Sequence, residues 1–244
     1  CGIYAETFAV WFVLFSALQA LAALVSQSLP NAMMLIIFIA FMASLIALAW
    51  PVVRGESFSQ VRRDIGLTFG DQPFVNVLLS PAGYVMALPM LGIGILLTLM
   101  LVTIQGAVAG GPSNDLTPAG GPAHPIIMEL GGPNLWPKLQ VLLVAAIAAP
   151  IVEEIMFRGV LYRHLRDASQ QLRRAGSCFL SATISGFVFA AIHPQGWVAI
   201  PALMALAYAF ALMREWRGSL VPSIIMHGLN NGIVMCVVIL LLSE

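Results

Sequence analysis

Charged residues are scarce in this sequence: Asp, Glu, Lys and Arg together make up 9% of its 244 residues. A soluble domain ordinarily carries about 25% charged residues, because its surface must face water. Hydrophobic residues instead reach 60%, and the mean hydropathy is +0.94. This composition excludes an ordinary soluble enzyme and a disordered chain, and it predicts a protein that crosses a membrane several times.

Cysteine is also scarce, with only Cys1, Cys178 and Cys236. An odd count without CxxC spacing argues against a disulfide framework and against a thiolate zinc site. The net charge is zero, with 11 basic and 11 acidic residues, so no basic surface is offered to nucleic acid. The chain begins at Cys1 rather than Met, which favours a fragment boundary over a lipid-modified N-terminus.

Long apolar runs dominate the sequence, and seven of them approach the roughly 20 residues that a spanning helix requires. They occupy residues 7–26, 32–51, 82–105, 139–162, 177–193, 196–213 and 219–242. Only Pro194 and Gln195 separate the fifth run from the sixth, which predicts a tight helical hairpin. We therefore expect residues 1–244 to form one all-α polytopic membrane domain of seven helices, or eight if another precedes Cys1.

Basic residues are distributed unequally between the predicted loops. The loops after the second, fourth and sixth runs hold nine arginines: Arg54, Arg62, Arg63, Arg163, Arg166, Arg173, Arg174, Arg214 and Arg217. The opposite loops contribute only Lys138. The positive-inside rule therefore places the arginine-rich loops in the cytoplasm.

Two stretches between the apolar runs differ in character. Residues 106–137 contain the triplet GGP three times and no apolar periodicity, which predicts a flexible outer loop. Residues 56–72 mix Phe, Val, Ile and Leu with Arg62, Arg63 and Asp64. That mixture favours a short amphipathic helix at the membrane interface over a solvated linker.

Ionisable residues inside the apolar runs are the functional candidates, because a charge at the bilayer centre costs at least about 2.5–3.5 kcal/mol. Glu153 and Glu154 lie side by side in the fourth run. Glu154 precedes Arg158 by four residues, the favoured order for an intrahelical ion pair, so we assign that pair a structural role. Glu153 is rotated about 100° from Glu154 and is left free to face a cavity.

Two other runs add polar groups at helical spacing. The fifth ends in FVFAAIHP, with Phe189 four residues before His193, and the seventh contains SIIMHGLNNG, with His227 four residues before Asn231. A carboxylate and a neutral imidazole can deprotonate water, while a second histidine and an amide can stabilise an oxyanion. Both histidines with one or both glutamates could equally ligate Zn²⁺. The residues thus predict amide hydrolysis, with a metal-free and a zinc-dependent version both open.

Other arrangements have less support in this sequence. It contains no HExxH, no GxSxG and no Asp within an apolar run that could form an aspartyl pair. A serine route through Ser223 and His227 is geometrically possible, but no second element supports it. A transporter or proton relay remains an alternative, because intramembrane Glu, His and Arg are typical of those proteins too.

The three motifs resemble those of a known family. EEIMFR (Glu153–Arg158), FAAIH (Phe189–His193) and HGLNN (His227–Asn231) are similar to the EExxxR, FxxxH and HxxxN motifs of the CAAX-protease and bacteriocin-processing (CPBP) family, in the same order. The resemblance covers residues 139–235, the expected catalytic core.

This resemblance implies an intramembrane protease related to the type II CAAX prenyl endopeptidases, which remove the last three residues after a prenylated cysteine. Glu153 would activate water with His193, while His227 and Asn231 would bind the oxyanion or, in the metalloprotease description, share a zinc ion. The implied substrate is a CAAX-type or other peptide, or a membrane protein, in the bacterial inner membrane. A non-proteolytic scaffold or immunity-type member is the alternative.

The expected depths of Glu153, His227 and His193 in the membrane disagree with their meeting at one site. Glu153 and His227 each lie ten residues from the nearest following or preceding loop arginine, about 15 Å of helix. His193 lies nineteen residues from Arg174, about 28 Å. Either residues 173–182 lie along the interface, or these groups do not meet.

Overall fold

The computed structural model describes residues 2–109, Leu130 and residues 134–242. Within these residues the chain is helical and contains no strand. By length and composition, seven segments can cross a membrane, here numbered spans 1 to 7: Ile3–Ser26, Pro30–Val53, Pro73–Val108, Leu135–Ala168, Arg174–Ala191, Trp197–Arg217 and Val221–Leu241. The predicted all-α polytopic membrane fold is confirmed.

The helices before the Gly- and Pro-rich stretch follow each other closely. They are α1 (Ile3–Ser26), α2 (Met33–Ser44), α3 (Ala49–Val53), α4 (Phe58–Ile65) and α5 (Pro73–Ala109). Short 3₁₀ turns, Pro30–Ala32 and Leu45–Leu48, flank α2. These two turns, α2 and α3 together form span 2, which is helical throughout and has two short 3₁₀ segments.

Span 4 changes its helical geometry along its length. It consists of α6 (Leu135–Leu143), a π-helical segment (Val144–Ala148), α7 (Ala149–Glu153), a second π-helical segment (Glu154–Leu161) and α8 (Tyr162–Ala168). Then follow α9 (Arg174–Ala191), a 3₁₀ turn (Trp197–Ala199), α10 (Ile200–Arg217) and α11 (Val221–Leu241). The turn between α9 and α10 lies where the sequence predicted the hairpin.

The predicted loop at residues 106–137 is shorter at both ends in the structure. Residues 106–109 continue α5, and α6 begins at Leu135, where the Asn134 side chain accepts a hydrogen bond from the Trp136 amide at 3.0 Å. Most of the remaining stretch lies outside the described residues, so the outer-loop prediction stays a prediction. Span 3 starts nine residues earlier than predicted, because polar Asn76 is buried and hydrogen-bonded rather than exposed in a loop.

The amphipathic helix predicted within residues 56–72 is α4. Ser57 caps its first turn by accepting from the Gln60 amide at 3.2 Å, and Gly66 ends it with φ +75°. Val61 and Ile65 on its apolar face are fully buried in the protein core. Val61 and Ile65 therefore pack against the protein, while Phe58 at the start of the same face is 53% exposed, and the interfacial location of α4 stays a prediction.

Span 4 is the most deeply buried of the seven, with 56% of its most apolar window inside the protein against 6% for span 3. Phe157 lies in the middle of its second π-helical segment, with its ring 5.3 Å from Phe8, 5.7 Å from Trp11 and 5.2 Å from Phe189. Surrounding helices thereby shield span 4 from lipid. Polar side chains on this span can face other protein groups, which lowers their cost in the membrane.

An ion-pair network marks one end of the bundle, which we call the arginine-rich end. Arg166 of α8 contacts Glu215 of α10 with an Nη2–Oε1 distance of 3.0 Å and donates to Ser177 of α9. Tyr162 donates to the same carboxylate at 2.9 Å. These contacts align the ends of spans 4, 5 and 6 at one level.

This alignment removes the depth conflict. Span 4 runs past Arg163 to the level of Arg166, which is thirteen residues or about 20 Å from Glu153. On α9, His193 lies sixteen residues or about 24 Å from Ser177. Neither alternative given by the depth comparison is needed, because span 4 extends beyond Arg163 to Ala168 and the three groups do meet.

Candidate active site

Three side chains from three spans meet inside the bundle. Glu153 ends α7, His193 lies in the turn after α9, and His227 lies in the second turn of α11. Glu153 Oε2 is 3.9 Å from His193 Nε2 and 3.7 Å from His227 Nε2. All three are largely buried, with side-chain exposures of 17%, 16% and 5% respectively.

Glu154 lies on the opposite side of the His227 ring from Glu153. Its Oε1 accepts from Arg158 Nη1 at 2.9 Å and from His227 Nδ1 at 3.0 Å. His227 thus bridges two adjacent carboxylates, one through each ring nitrogen. Glu154 binds Arg158 and the Nδ1 side of His227, away from Glu153. It is therefore not positioned to ligate a metal ion together with Glu153 and both histidines, as the sequence had left open.

The partners of the two Nδ1 atoms fix which nitrogen carries hydrogen. Glu154 is ion-paired with Arg158, and a carboxylate in that state only accepts, so His227 carries hydrogen on Nδ1. His193 Nδ1 lies 2.6 Å from the Phe189 carbonyl oxygen, which also only accepts. In their neutral forms, both imidazoles therefore direct an Nε2 lone pair toward Glu153.

Three acceptor atoms consequently converge: Glu153 Oε2 and the Nε2 atoms of His193 and His227. Lone pairs facing one another at low dielectric repel unless something between them supplies hydrogen or positive charge. A water molecule, a proton held by one histidine, or a metal cation meets that requirement. The arrangement is thus suited to holding and polarising a small group.

The same three atoms lie at distances close to those of a tetrahedral zinc site. Two donors at about 2.0–2.1 Å from a tetrahedral Zn²⁺ lie roughly 3.4 Å apart, slightly closer than the 3.7 and 3.9 Å seen here. Among the described residues, no group of three or more His, Cys, Asp or Glu is arranged as a metal centre. The carboxylate and imidazole donors suit zinc, and hydrogen bonds from both Nδ1–H groups orient the two rings. To hold the ion, the distances between the three donor atoms would have to shorten by a few tenths of an ångström.

The π-helical segments of span 4 border this cluster, as such segments often do at functional sites. Asn231 of α11 donates to the Ala145 carbonyl oxygen in the first segment at 2.9 Å. A Cβ on Gly228 would lie 2.7 Å from the Ala146 carbonyl oxygen. Only glycine permits this approach, which sets the position of His227 and Asn231 relative to span 4.

Aromatic rings surround the buried ion pair. The Arg158 guanidinium lies over Phe189 at 4.5 Å and over Phe210 at 5.2 Å, and its side chain is 1% exposed. Phe210 stacks on His227 with centroids 4.9 Å apart, and Phe189 lies 4.2 Å from His193. Sequence reasoning missed Phe210, because nothing distinguishes it from other apolar residues of span 6.

A cavity of about 620 Å³ opens onto the three converging side chains. Its walls come from spans 1, 2, 4, 5, 6 and 7 and from the turn after α9, and they are mainly apolar. Asn230 and Asn231 also line it, and Asn230 Nδ2 donates to Asn231 Oδ1 at 3.1 Å. The Tyr84 hydroxyl of span 3 donates a hydrogen bond to Asn230 Oδ1 at 3.4 Å. Sequence reasoning missed Asn230, although the NN doublet in span 7 was a signal.

Two glutamines on the cavity wall were also missed. Gln19 Nε2 and Gln195 Oε1 are buried, and neither has a hydrogen-bond partner among the described residues. One is a donor and the other an acceptor, the two functions of a peptide unit. Their signal was an amide inside span 1 and another beside the hairpin proline.

These features define a polytopic helical membrane protein with a carboxylate and two histidines facing a mainly apolar cavity. Residues 134–233 match the family model for type II CAAX prenyl endopeptidase Rce1-like proteins. A 116-residue segment is 28% identical to the membrane-embedded CAAX protease MroQ of Staphylococcus aureus (strain USA300), covering 43% of this chain and 46% of that protein. Over this region the chain is similar to CAAX proteases, the resemblance that its three motifs indicated.

The matching segment spans about half the length of that relative. No solved structure matches the chain significantly. The similarity to CAAX proteases therefore lies in the second half of the chain, which contains the converging side chains.

Proposed function

We propose that this protein is an intramembrane endopeptidase in which Glu153 activates a water molecule. The observation that carries the proposal is the convergence of Glu153 Oε2 with the Nε2 atoms of His193 and His227 within 4 Å. A hydrolase needs a base, a held water and a stabilised oxyanion in one enclosed site. The family match supports the same reaction class.

In the proposed reaction, the water is held by Glu153 and His193, both of which accept hydrogen bonds. Glu153 takes one proton as the water oxygen attacks the substrate carbonyl carbon, and the carbonyl electron pair moves to oxygen. Glu153 then returns that proton to the leaving nitrogen as the carbon–nitrogen bond breaks. The base and the acid are thus one carboxylate in two protonation states.

The oxyanion would be stabilised from α11. Asn231 Nδ2 carries two hydrogens, of which the Ala145 carbonyl takes one, leaving the second for the oxyanion. His227 can donate from Nε2 only as an imidazolium, because its other hydrogen is held by Glu154. Glu154 and Arg158 position His227 and do not contact the reacting atoms in this proposal.

A zinc-dependent version uses the same residues. Glu153, His193 and His227 would hold the ion, which would supply Lewis-acid activation of the water. Glu154 and the Phe189 carbonyl would orient the two imidazoles from behind. The two versions differ in their response to chelation.

We propose a membrane-held peptide as substrate, either a CAAX-type C-terminal peptide or a segment of a membrane protein. The apolar cavity walls support an apolar substrate, and the matching relative is named a CAAX protease. The nine arginines that lie at or between the ends of spans 2 to 7 support a cytoplasmic location for the arginine-rich end in a bacterial inner membrane.

The test compares purified wild type with Glu153→Gln after reconstitution in liposomes. The probes are a prenylated CAAX peptide, its unprenylated counterpart and a library of transmembrane peptides. We expect Glu153→Gln to lower kcat by at least about 100-fold, since it removes the base. Asp71→Asn is the matched control, because Asp71 is an exposed carboxylate outside the site.

Chelation separates the two versions of the mechanism. Activity that survives chelation indicates the metal-free version, whereas loss on chelation with rescue by Zn²⁺ indicates the other. Equal activity of wild type and Glu153→Gln contradicts both. Failure of folded wild type to cleave any probe favours the non-proteolytic scaffold.

A further inference from the structure

A second cavity, of about 490 Å³, lies at the arginine-rich end. It is formed by α8, the first turn of α9 and the last turn of α10. Four arginines and two carboxylates line it: Arg163, Arg166, Arg174, Arg214, Asp167 and Glu215. The cavity therefore carries an excess of two positive charges.

The two carboxylates are already shared among the arginines. Glu215 binds Arg166 at 3.0 Å and also lies 3.5 Å from Arg174, while Asp167 lies 3.2 Å from Arg163. Arg214 Nε is buried without a hydrogen-bond partner among the described residues. The Arg174 side chain remains 82% exposed, so its guanidinium is available to a further anion.

The start of α9 adds to this positive potential. The helix begins at Arg174, beside the cavity, and Arg173 at its cap position supplies no side-chain hydrogen bond. First-turn amides of an uncapped helix favour negative charge nearby. Guanidinium groups match phosphate oxygens through paired hydrogen bonds, so the cavity suits a phosphate group.

Exposed apolar side chains lie within a few residues of the cavity lining on the same segments. Leu172 lines the cavity and is 43% exposed, while Phe179 on α9 is 67% exposed. Trp216, next to Glu215 on α10, is 63% exposed, as is typical of tryptophan at the membrane interface. A ligand with an anionic head and an apolar tail complements both surfaces.

We propose that this cavity binds a phosphate group, carried by the headgroup of an anionic phospholipid. The bound lipid holds the ends of spans 4, 5 and 6 together by bridging arginines that the two carboxylates leave incompletely neutralised. The site is distinct from the peptide site, since Arg166 is about 20 Å of helix from Glu153. It does not depend on whether the protein cleaves peptides.

Native mass spectrometry of the detergent-purified chain tests this. The probes are phosphatidylglycerol, phosphatidylcholine and inorganic phosphate. We expect phosphatidylglycerol to bind preferentially, and the Arg163→Gln/Arg174→Gln double variant to bind it about tenfold more weakly. Arg62→Gln is the control, because Arg62 is an exposed arginine of α4 outside the cavity.

Asp167→Asn provides a test of opposite sign. It removes one competing negative charge from the cavity, so phosphatidylglycerol binding should tighten by roughly threefold. Equal binding of the two lipids, or an equal loss in Arg62→Gln, overturns the proposal. Binding of inorganic phosphate as tight as that of phosphatidylglycerol would support the phosphate site but overturn the lipid headgroup as its source.

Discussion

Replacing Glu154 by glutamine tests the proposed division of labour between the two adjacent carboxylates. The substitution keeps the size of the side chain but strands the Arg158 guanidinium, which is 1% exposed and paired with Glu154 at 2.9 Å. Removing one partner of a buried ion pair costs about 3–5 kcal/mol. For a domain of this size, about 1 kcal/mol lowers the Tm by roughly 2–4 °C, so we expect a drop of about 6–20 °C.

The assay is thermal unfolding in detergent, followed by tryptophan fluorescence. Glu153→Gln is the matched variant, because it removes the neighbouring carboxylate without stranding a cation. We expect its Tm to stay close to that of wild type while its activity is lost. Glu154→Gln should lose both stability and activity, since His227 also loses its charged acceptor.

A double variant identifies the origin of the stability loss. Glu154→Gln combined with Arg158→Met removes both charges and should recover most of the lost Tm, because no unpaired charge remains buried. A wild-type Tm for Glu154→Gln would refute the structural role of the pair. A double variant no more stable than the single would refute the stranded charge as the cause.

Two further substitutions test the packing and the cavity wall. Gly228→Ala should lower the free energy of unfolding by about 1–3 kcal/mol and lower activity, because the new Cβ would lie 2.7 Å from the Ala146 carbonyl oxygen. The control in thermal unfolding is Gly232→Ala, whose Cβ would make an ordinary 3.7 Å contact. Equal losses of stability in the two variants would contradict this prediction. We expect the unpaired Gln19 amide donor on the cavity wall to bind substrate and transition state alike, so Gln19→Leu should raise KM several-fold with kcat little changed. Steady-state kinetics beside Ser16→Ala checks this, and an unchanged KM would contradict it.

The sequence alone determined the class of protein and the approximate spans. Low charge and long apolar runs leave a chain few options other than crossing a membrane, because the apolar side chains avoid water and a helix satisfies its own backbone hydrogen bonds within lipid. The spacing of Glu154 and Arg158 also predicted their contact, since residues four apart on a helix are neighbours whatever surrounds them. Local geometry was sufficient for these predictions.

Only the tertiary structure decided how the helices face one another. In a membrane, lipid-facing and protein-facing residues are both apolar, so periodicity does not reveal which side of a helix is buried. The stacking of Phe210 on His227 and the exposure of Gln19 to the cavity therefore left no clear pattern. The depth of His193 relative to Glu153 depended on the contacts of Arg166, which join the end of span 4 to spans 5 and 6. Contacts between helices that are distant in sequence determine the Phe210 stacking, the position of Gln19 and the depth of His193. The sequence of one helix does not show which other helices it packs against.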